Sequence, residues 1–232
     1  MVFGMKKAKK QNVVKKAIIF DLDGTLINSI PFHLGEHIAI FKKIGIKLTP
    51  HFFEKYCNGT KPDEFYRTIL LHYTGNLKLY EQALALREEV FKHESYAGIR
   101  TFLGVHPLLR RLKKEGFKLA LASSSGEKYI HKNLSNNKLE KYFDVIVGSS
   151  HVKHSKPNPF IFNLAFKELS EKFGMKKSEC VVVEDATNGV IAAKRAKIDC
   201  ICLLTSESRR DIPKSAVIAI NHSRIYGLIK KL

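Results

Sequence analysis

The ten residues from Ala17 to Leu26, AIIFDLDGTL, decide how the rest of the chain is read. Four consecutive apolar residues without polar alternation predict a short strand covered on both faces. Gly24 then permits a tight turn, and Thr25 is expected to bond the loop backbone. Asp21 and Asp23 stand two apart at the end of an extended run, so their side chains should leave on one side. Taken alone, that pair suits a metal site or a polar turn equally well.

A strand buried on both faces belongs in a parallel sheet, and the sequence beyond Gly104 has the required alternation. VHPLLRRLKKEG (105–116), EKYIHKNLSNNKL (127–139), NPFIFNLAFKELSEKFG (158–174) and TNGVIAAKRA (187–196) read as helices. Between and after them, KLALASS (118–124), DVIVGSS (144–150), CVVVED (180–185), DCICLLT (199–205) and SAVIAI (215–220) read as strands. This order predicts an α/β, Rossmann-like parallel-sheet core with helices on both faces. Residues 31–99 differ in texture. HIAIFKKI, FYRTILLHY and YEQALALREEVF carry apolar residues at helical spacing, and no strand is expected there. The expected organisation is a basic tail over 1–16, a core over 17–30 and 100–232, and an inserted all-α helical bundle over 31–99.

Composition bounds the class of protein. The chain has 232 residues, 44% hydrophobic and 27% charged, which is globular composition and excludes extended disorder. No apolar run approaches the roughly 18–20 residues that span a bilayer. The segment MVFGMKKAKKQNVVKK is basic but has no signal-peptide apolar stretch, so a cytoplasmic protein without a membrane role is expected, as a monomer or weak dimer. Lysine and arginine total 40 against 22 acids, giving +18, a surface that attracts anions of any kind. Six lysines precede residue 17 and read as solvated. Cys57, Cys180, Cys200 and Cys202 form no C-x-x-C pair and are expected as free thiols.

Ligands of open parallel sheets bind beyond the carboxyl ends of the strands, so chemistry is sought there. Four strand ends carry it. Asp21 and Asp23 follow the first strand. Ser123, Ser124 and Ser125 follow the second and offer hydroxyls and amides to a phosphate. Lys156 lies in HSKPNPF, where Pro157 and Pro159 stiffen the connection that aims it. Glu184 and Asp185 end the apolar strand CVVV, where adjacent acids call for a compensating cation, and oxygen ligands of this kind suit Mg²⁺.

The motifs FDLDGTL, LASSS, SKPNP and VVVEDATNGVIAA, in that order, resemble the haloacid dehalogenase (HAD) superfamily over about residues 17–220. The helical insert resembles the cap of its β-phosphoglucomutase and phosphatase branch. The resemblance implies Asp21 as nucleophile and Asp23 as general acid–base. It implies Ser123 and Lys156 as phosphate-binding groups. It also implies Mg²⁺ held by the Asp21 side chain, the Asp23 backbone carbonyl and Asp185, with Glu184 supporting the metal or Lys156. His33 stands where β-phosphoglucomutase has a cap-hinge His that positions the acid–base Asp; an ordinary helix-start His is the other reading. In that mutase a cap Arg in a G-x-S-R loop grips the sugar's distal phosphate; the loop corresponds here to Gly59-Thr60-Lys61-Pro62, with Pro62 at the Arg place. Lys61, Tyr66 and Arg67, with Ser124 and Ser125, are the specificity candidates.

That departure, with Gly126 and Glu127 where the mutase has Lys-Asn after its Ser-x-Ser loop, favours an Mg²⁺-dependent phosphatase acting on a small phosphorylated metabolite such as a sugar phosphate, through an aspartyl-phosphate. A β-phosphoglucomutase-type phosphomutase is the alternative. A non-enzymatic nucleic-acid-binding protein is the remote one, and no zinc-finger, helix-turn-helix or aromatic RNA-binding pattern supports specific nucleic-acid recognition.

Overall fold

The computed structural model of the chain describes residues 14–57, 60, 62–91, 96 and 98–232. Six strands form one parallel sheet: β1 (Ala17–Phe20), β2 (Lys118–Ala122), β3 (Val145–Val147), β4 (Cys180–Glu184), β5 (Asp199–Leu203) and β6 (Val217–Ala219). Their order is β3-β2-β1-β4-β5-β6. All four β1 residues are fully buried, as a central strand covered on both faces requires.

Alternate residues of each strand feed two separate cores. Ile18, Phe20, Leu119, Leu121, Val181 and Val183 pack with α5 (Val105–Lys114), α6 (Glu127–Asn136) and α9 (His222–Ile229). Ala17, Ile19, Ala120 and Val182 pack on the opposite face with α7 (Phe160–Phe173) and α8 (Thr187–Arg195). α5 has the strongest stripe, with Val105, Leu108, Leu109 and Leu112 buried and its arginines and lysines outward.

Among the described residues between β1 and α5 lie four helices, α1 (Ile30–Lys43), α2 (Pro50–Tyr56), α3 (Pro62–Thr74) and α4 (Tyr80–Phe91). They enclose their own apolar cluster, centred on Ile40, Phe41, Phe65, Tyr66 and Ile69. Thr49 caps α2 by accepting from the Phe52 amide at 3.2 Å. Among the described residues no helix is long and apolar enough to cross a membrane.

Two expectations need correction. The sequence reading ended on a strand, whereas α9 follows and closes one face; it is eight residues long and contains Gly227, so only Ile225 and Ile229 signal it. Lys15 is not solvated tail, and Lys16, though exposed, is tied to the core. Lys15 is 5% exposed and donates to the Ser178 carbonyl at 2.8 Å and to Asp199, while Lys16 pairs with Glu179 at 2.5 Å. The rest of the expected tail, residues 1–13, lies outside the described residues. The four cysteines are free thiols.

Candidate active site

The chain runs outward from β1 to β2 and β3, then returns across the sheet to place β4 on the other side of β1. That reversal opens a crevice at the carboxyl ends of β1, β2 and β4. The helices α1–α4 roof it, leaving a cavity of about 160 Å³ lined on the sheet side by Asp21, Asp23, Ser123–Gly126 and Glu184–Ala186.

Lys156 is the centre of the buried charge. It is fully buried, and its Nζ donates to Asp21 Oδ1 at 2.5 Å, Glu184 Oε1 at 2.6 Å and the Ala122 carbonyl at 3.3 Å. Burial disfavours the ammonium, but the Asp21 and Glu184 carboxylates outweigh that and hold Lys156 above its usual range. Burial pushes the Asp21 carboxyl up to about 8 against the pull of Lys156. Asp185 is likewise raised by burial and then by the Glu184 and Asp21 charges, with hydrogen bonds from Ser206 and Thr25 opposing.

Asp21, Glu184 and Asp185 bring carboxylate oxygens within 4.8 Å of one another. Three buried carboxyls beside a single ammonium resist ionising together, as the raised Asp21 and Asp185 carboxyls express, and a hard cation is what lets all three carry charge. The surroundings hold each acid in place. Glu184 Oε2 accepts from the Asp185 and Ala186 amides at 2.8 and 2.9 Å, so Glu184 serves Lys156 and the loop. Its carboxylate lies where a Cβ on Gly189 would sit, which accounts physically for glycine five residues beyond it. Asp185 receives Thr25 Oγ1 at 2.6 Å and Ser206 Oγ. Thr25 therefore bonds Asp185 and not the loop backbone as the sequence suggested. Gly24 has φ +78°, and a side chain there would strike Asp185 and Ser206.

Asp23 faces the same crevice with different partners. Ser29 and Tyr129 donate to its Oδ1, both at 2.6 Å, and Ser125 donates to Oδ2 at 2.7 Å. His33 reaches it through Tyr129: Nε2 is 2.7 Å from the Tyr129 hydroxyl and 3.9 Å from Asp23, while Nδ1 is 3.3 Å from Glu36. Ser123 is buried and its Oγ accepts the Ser125 amide at 3.1 Å, bending the loop that presents Ser124 and Ser125.

The cap candidates are distributed otherwise than expected. Tyr66 is fully buried in the helical cluster, where its hydroxyl meets His37 Nδ1 at 3.1 Å. Arg67 is exposed and stacks over the Tyr80 ring at 4.1 Å. Neither lines the crevice. Lys61 lies outside the described residues. The sequence reading missed Ser29, Tyr129, Ser206 and, on the roof, Arg87. Ser29 and Tyr129 had only ordinary loop and helix signals; Arg87 was hidden among other charges in α4.

A doubly wound sheet with three acids and one lysine gathered at its switch point defines an α/β protein with a buried acidic centre at the carboxyl ends of its strands. The chain belongs to the haloacid dehalogenase-like hydrolase family, which matches residues 18–203. It is 33% identical over 189 residues to YhcW of Bacillus subtilis, covering 80% of this chain and 82% of that one. It is 28% identical over 231 residues to the phosphorylated carbohydrates phosphatase of Thermotoga maritima, covering 94% and 99%. In fold it is similar to a hydrolase from Pseudomonas syringae, with a TM-score of 0.80, 24% identity and coverage of 94% and 99%. It is also similar to CbbY from Rhodobacter sphaeroides, solved with phosphate, with a TM-score of 0.78, 23% identity and coverage of 94% and 100%.

Proposed function

We propose that the protein is a phosphatase that hydrolyses a small phosphorylated metabolite through a phosphoryl group carried transiently on Asp21. The observation that carries this reading is the Asp21 carboxylate at the crevice floor, held at 2.5 Å by the buried Lys156 and beside Asp185. A carboxylate needs no activating base, and its difficulty is repulsion from an anionic ester. The Asp21 and Asp185 side chains with the Asp23 backbone carbonyl would hold Mg²⁺, which when bound supplies charge neutralisation for the phosphoryl oxygens.

Lys156 supplies a further positive charge at a fixed point and orients the attacking oxygen. Asp21 forms the new bond to phosphorus as the ester bond breaks, and protonated Asp23 gives its proton to the departing alkoxide. The Asp23 carboxylate then takes a proton from water as the water oxygen bonds phosphorus, freeing Asp21 and inorganic phosphate. Ser29, Ser125 and Tyr129 fix the direction in which the Asp23 carboxyl points. Ser123 shapes the loop that receives the phosphoryl oxygens. The relatives named as phosphatases support hydrolysis, and the cavity volume supports a small leaving group.

The test is phosphate release over a panel of metabolites with Mg²⁺, run beside an assay of β-glucose 1-phosphate isomerisation. Release without isomerisation is expected, and Asp21→Asn should reduce it at least about a thousandfold while remaining folded. Clean isomerisation without release would transfer the assignment to the mutase, and unchanged release by Asp21→Asn would overturn the nucleophile.

A further inference from the structure

The loop between β5 and β6 reaches back to the acidic centre with three consecutive side chains, and each meets a different segment. Thr205 Oγ1 donates to the Gly24 carbonyl at 2.6 Å, in the turn that follows Asp21 and Asp23. Ser206 Oγ donates to Asp185 Oδ2. Glu207 Oε2 accepts from the Thr187 amide at 2.9 Å and from the Thr187 hydroxyl at 2.6 Å.

The third contact bears on Asp185 as directly as the second. Thr187 opens α8 two residues beyond Asp185, and the cap position is held by Ala186, whose side chain can accept nothing. Glu207 therefore supplies, from another loop, an acceptor for an amide that the helix itself leaves unpaired, and its acid suits the positive end of that helix. With Thr25 on Oδ1 and Ser206 on Oδ2, the Asp185 carboxylate is gripped at both oxygens. The loop that grips it is anchored in its own right. Ile212 is buried with Val190 of α8 and Cys202 of β5, and Arg209 donates to the Ile212 carbonyl at 3.0 Å.

We propose that Thr205, Ser206 and Glu207 are positioning residues of the cation site. They hold the Gly24 turn, the Asp185 carboxylate and the start of α8 in one fixed arrangement. Asp21 and Asp185, which come from distant parts of the chain, then present their oxygens to one ion without first being ordered by it. A carboxylate left free to rotate would lose that freedom on each binding event, at a cost in affinity. Partners that orient a metal ligand typically change metal affinity by about 10–100-fold when removed. This deepens the phosphatase reading and rests on its Mg²⁺ site.

The experiment reads Mg²⁺ affinity without turnover. The melting temperature is followed against MgCl₂ concentration at constant ionic strength with no substrate, which yields an apparent Kd. Ser206→Ala should raise that Kd by about tenfold or more. Thr205→Val and Glu207→Ala should raise it by at least about threefold, the loss of one ordinary hydrogen bond. Thr205→Ser and Glu207→Gln keep the donor and the acceptor and should restore most of the affinity. Ser208→Ala removes an exposed hydrogen bond to Asp211 in the same loop and should leave the Kd unchanged. In phosphate release, the Mg²⁺ concentration for half-maximal rate in Ser206→Ala should rise in parallel, and kcat at saturating Mg²⁺ should fall far less. A loop that only supports the fold would lower the melting temperature without Mg²⁺ and leave the Kd unmoved. That result, or a Kd shift in Ser208→Ala equal to that in Ser206→Ala, would overturn the proposal while leaving the phosphatase intact. An unmodified protein whose melting temperature ignores Mg²⁺ would overturn both the proposal and the metal site beneath it.

Discussion

Two residue contacts govern how finely the crevice is set. Gly189 has no room for a side chain, because the Glu184 carboxylate occupies that place and in turn holds Lys156. Gly189→Ala should therefore lower stability by about 1–3 kcal/mol, the usual range for overpacking. It should lower kcat as well, since Lys156 loses its anchor. Denaturant unfolding beside steady-state kinetics checks both, and a fully stable, fully active variant would contradict the packing argument. Tyr129 donates to Asp23 and links it to His33 across the crevice. Tyr129→Phe keeps the ring and removes that donor, so kcat should fall by about tenfold with KM little changed. A loss confined to KM would assign Tyr129 to substrate binding instead. Such residues are where sequence reading stopped. Asp21, Asp23, Lys156, Glu184 and Asp185 stood at strand ends in a recognisable order. Tyr129 and Arg87 sit within helices, where an aromatic or a charge looks like any other, and only the packing of α1–α4 over the carboxyl ends of the strands brings them to one crevice.

Among elements, β1 shows how far local sequence carries. Its four apolar residues have no polar alternate because α5, α6 and α9 cover one face and α7 and α8 the other. The flanking segment was misread for an equally local reason. Lys15 looks like one more lysine of a basic run, but it crosses the amino-terminal ends of β4 and β5 and joins Ser178, Cys180 and Asp199. Lys15→Met removes hydrogen bonds to two carbonyls and leaves the part-exposed Asp199 without its partner. It should thus destabilise the sheet by about 1–2 kcal/mol, measured by urea unfolding. A change within experimental error would restore the solvated reading. Tyr66 and Arg67 do not line the crevice, because helical phase, not proximity to the loop, decides which side of α3 meets it.

At the scale of the whole molecule, two histidines couple the helical roof and the core to pH. His37 in the roof is held low by burial, then by the His33 and Arg87 charges. His222, in the core, is held low by burial, against the pull of its bond to the Thr25 carbonyl at 2.6 Å. Below the ordinary histidine pKa of about 6.5 the unfolded chain binds protons that the folded chain refuses. Their contribution to stability is therefore complete above that pH and declines as pH falls toward the depressed folded values. With saturating Mg²⁺, the melting temperature should drop between about pH 7.5 and 5. The double variant His37→Gln/His222→Gln should show a shallower drop, and an identical pH slope would assign the effect to other groups. The net charge of +18 belongs to this scale too, and it explains attraction for anions without naming the one that reacts.

The account turns on whether Asp21 takes the phosphoryl group. In the Asp23→Asn variant the water-activating base is removed, so a phosphorylated intermediate formed from an ester with a good leaving group should persist. Acid quench during turnover, followed by peptide mass spectrometry, should find the mass of one phosphoryl group on the peptide containing Asp21, and on Asp21 itself after fragmentation. A phosphoryl group found on another residue, or none on that peptide while the unmodified enzyme releases phosphate, would contradict the account.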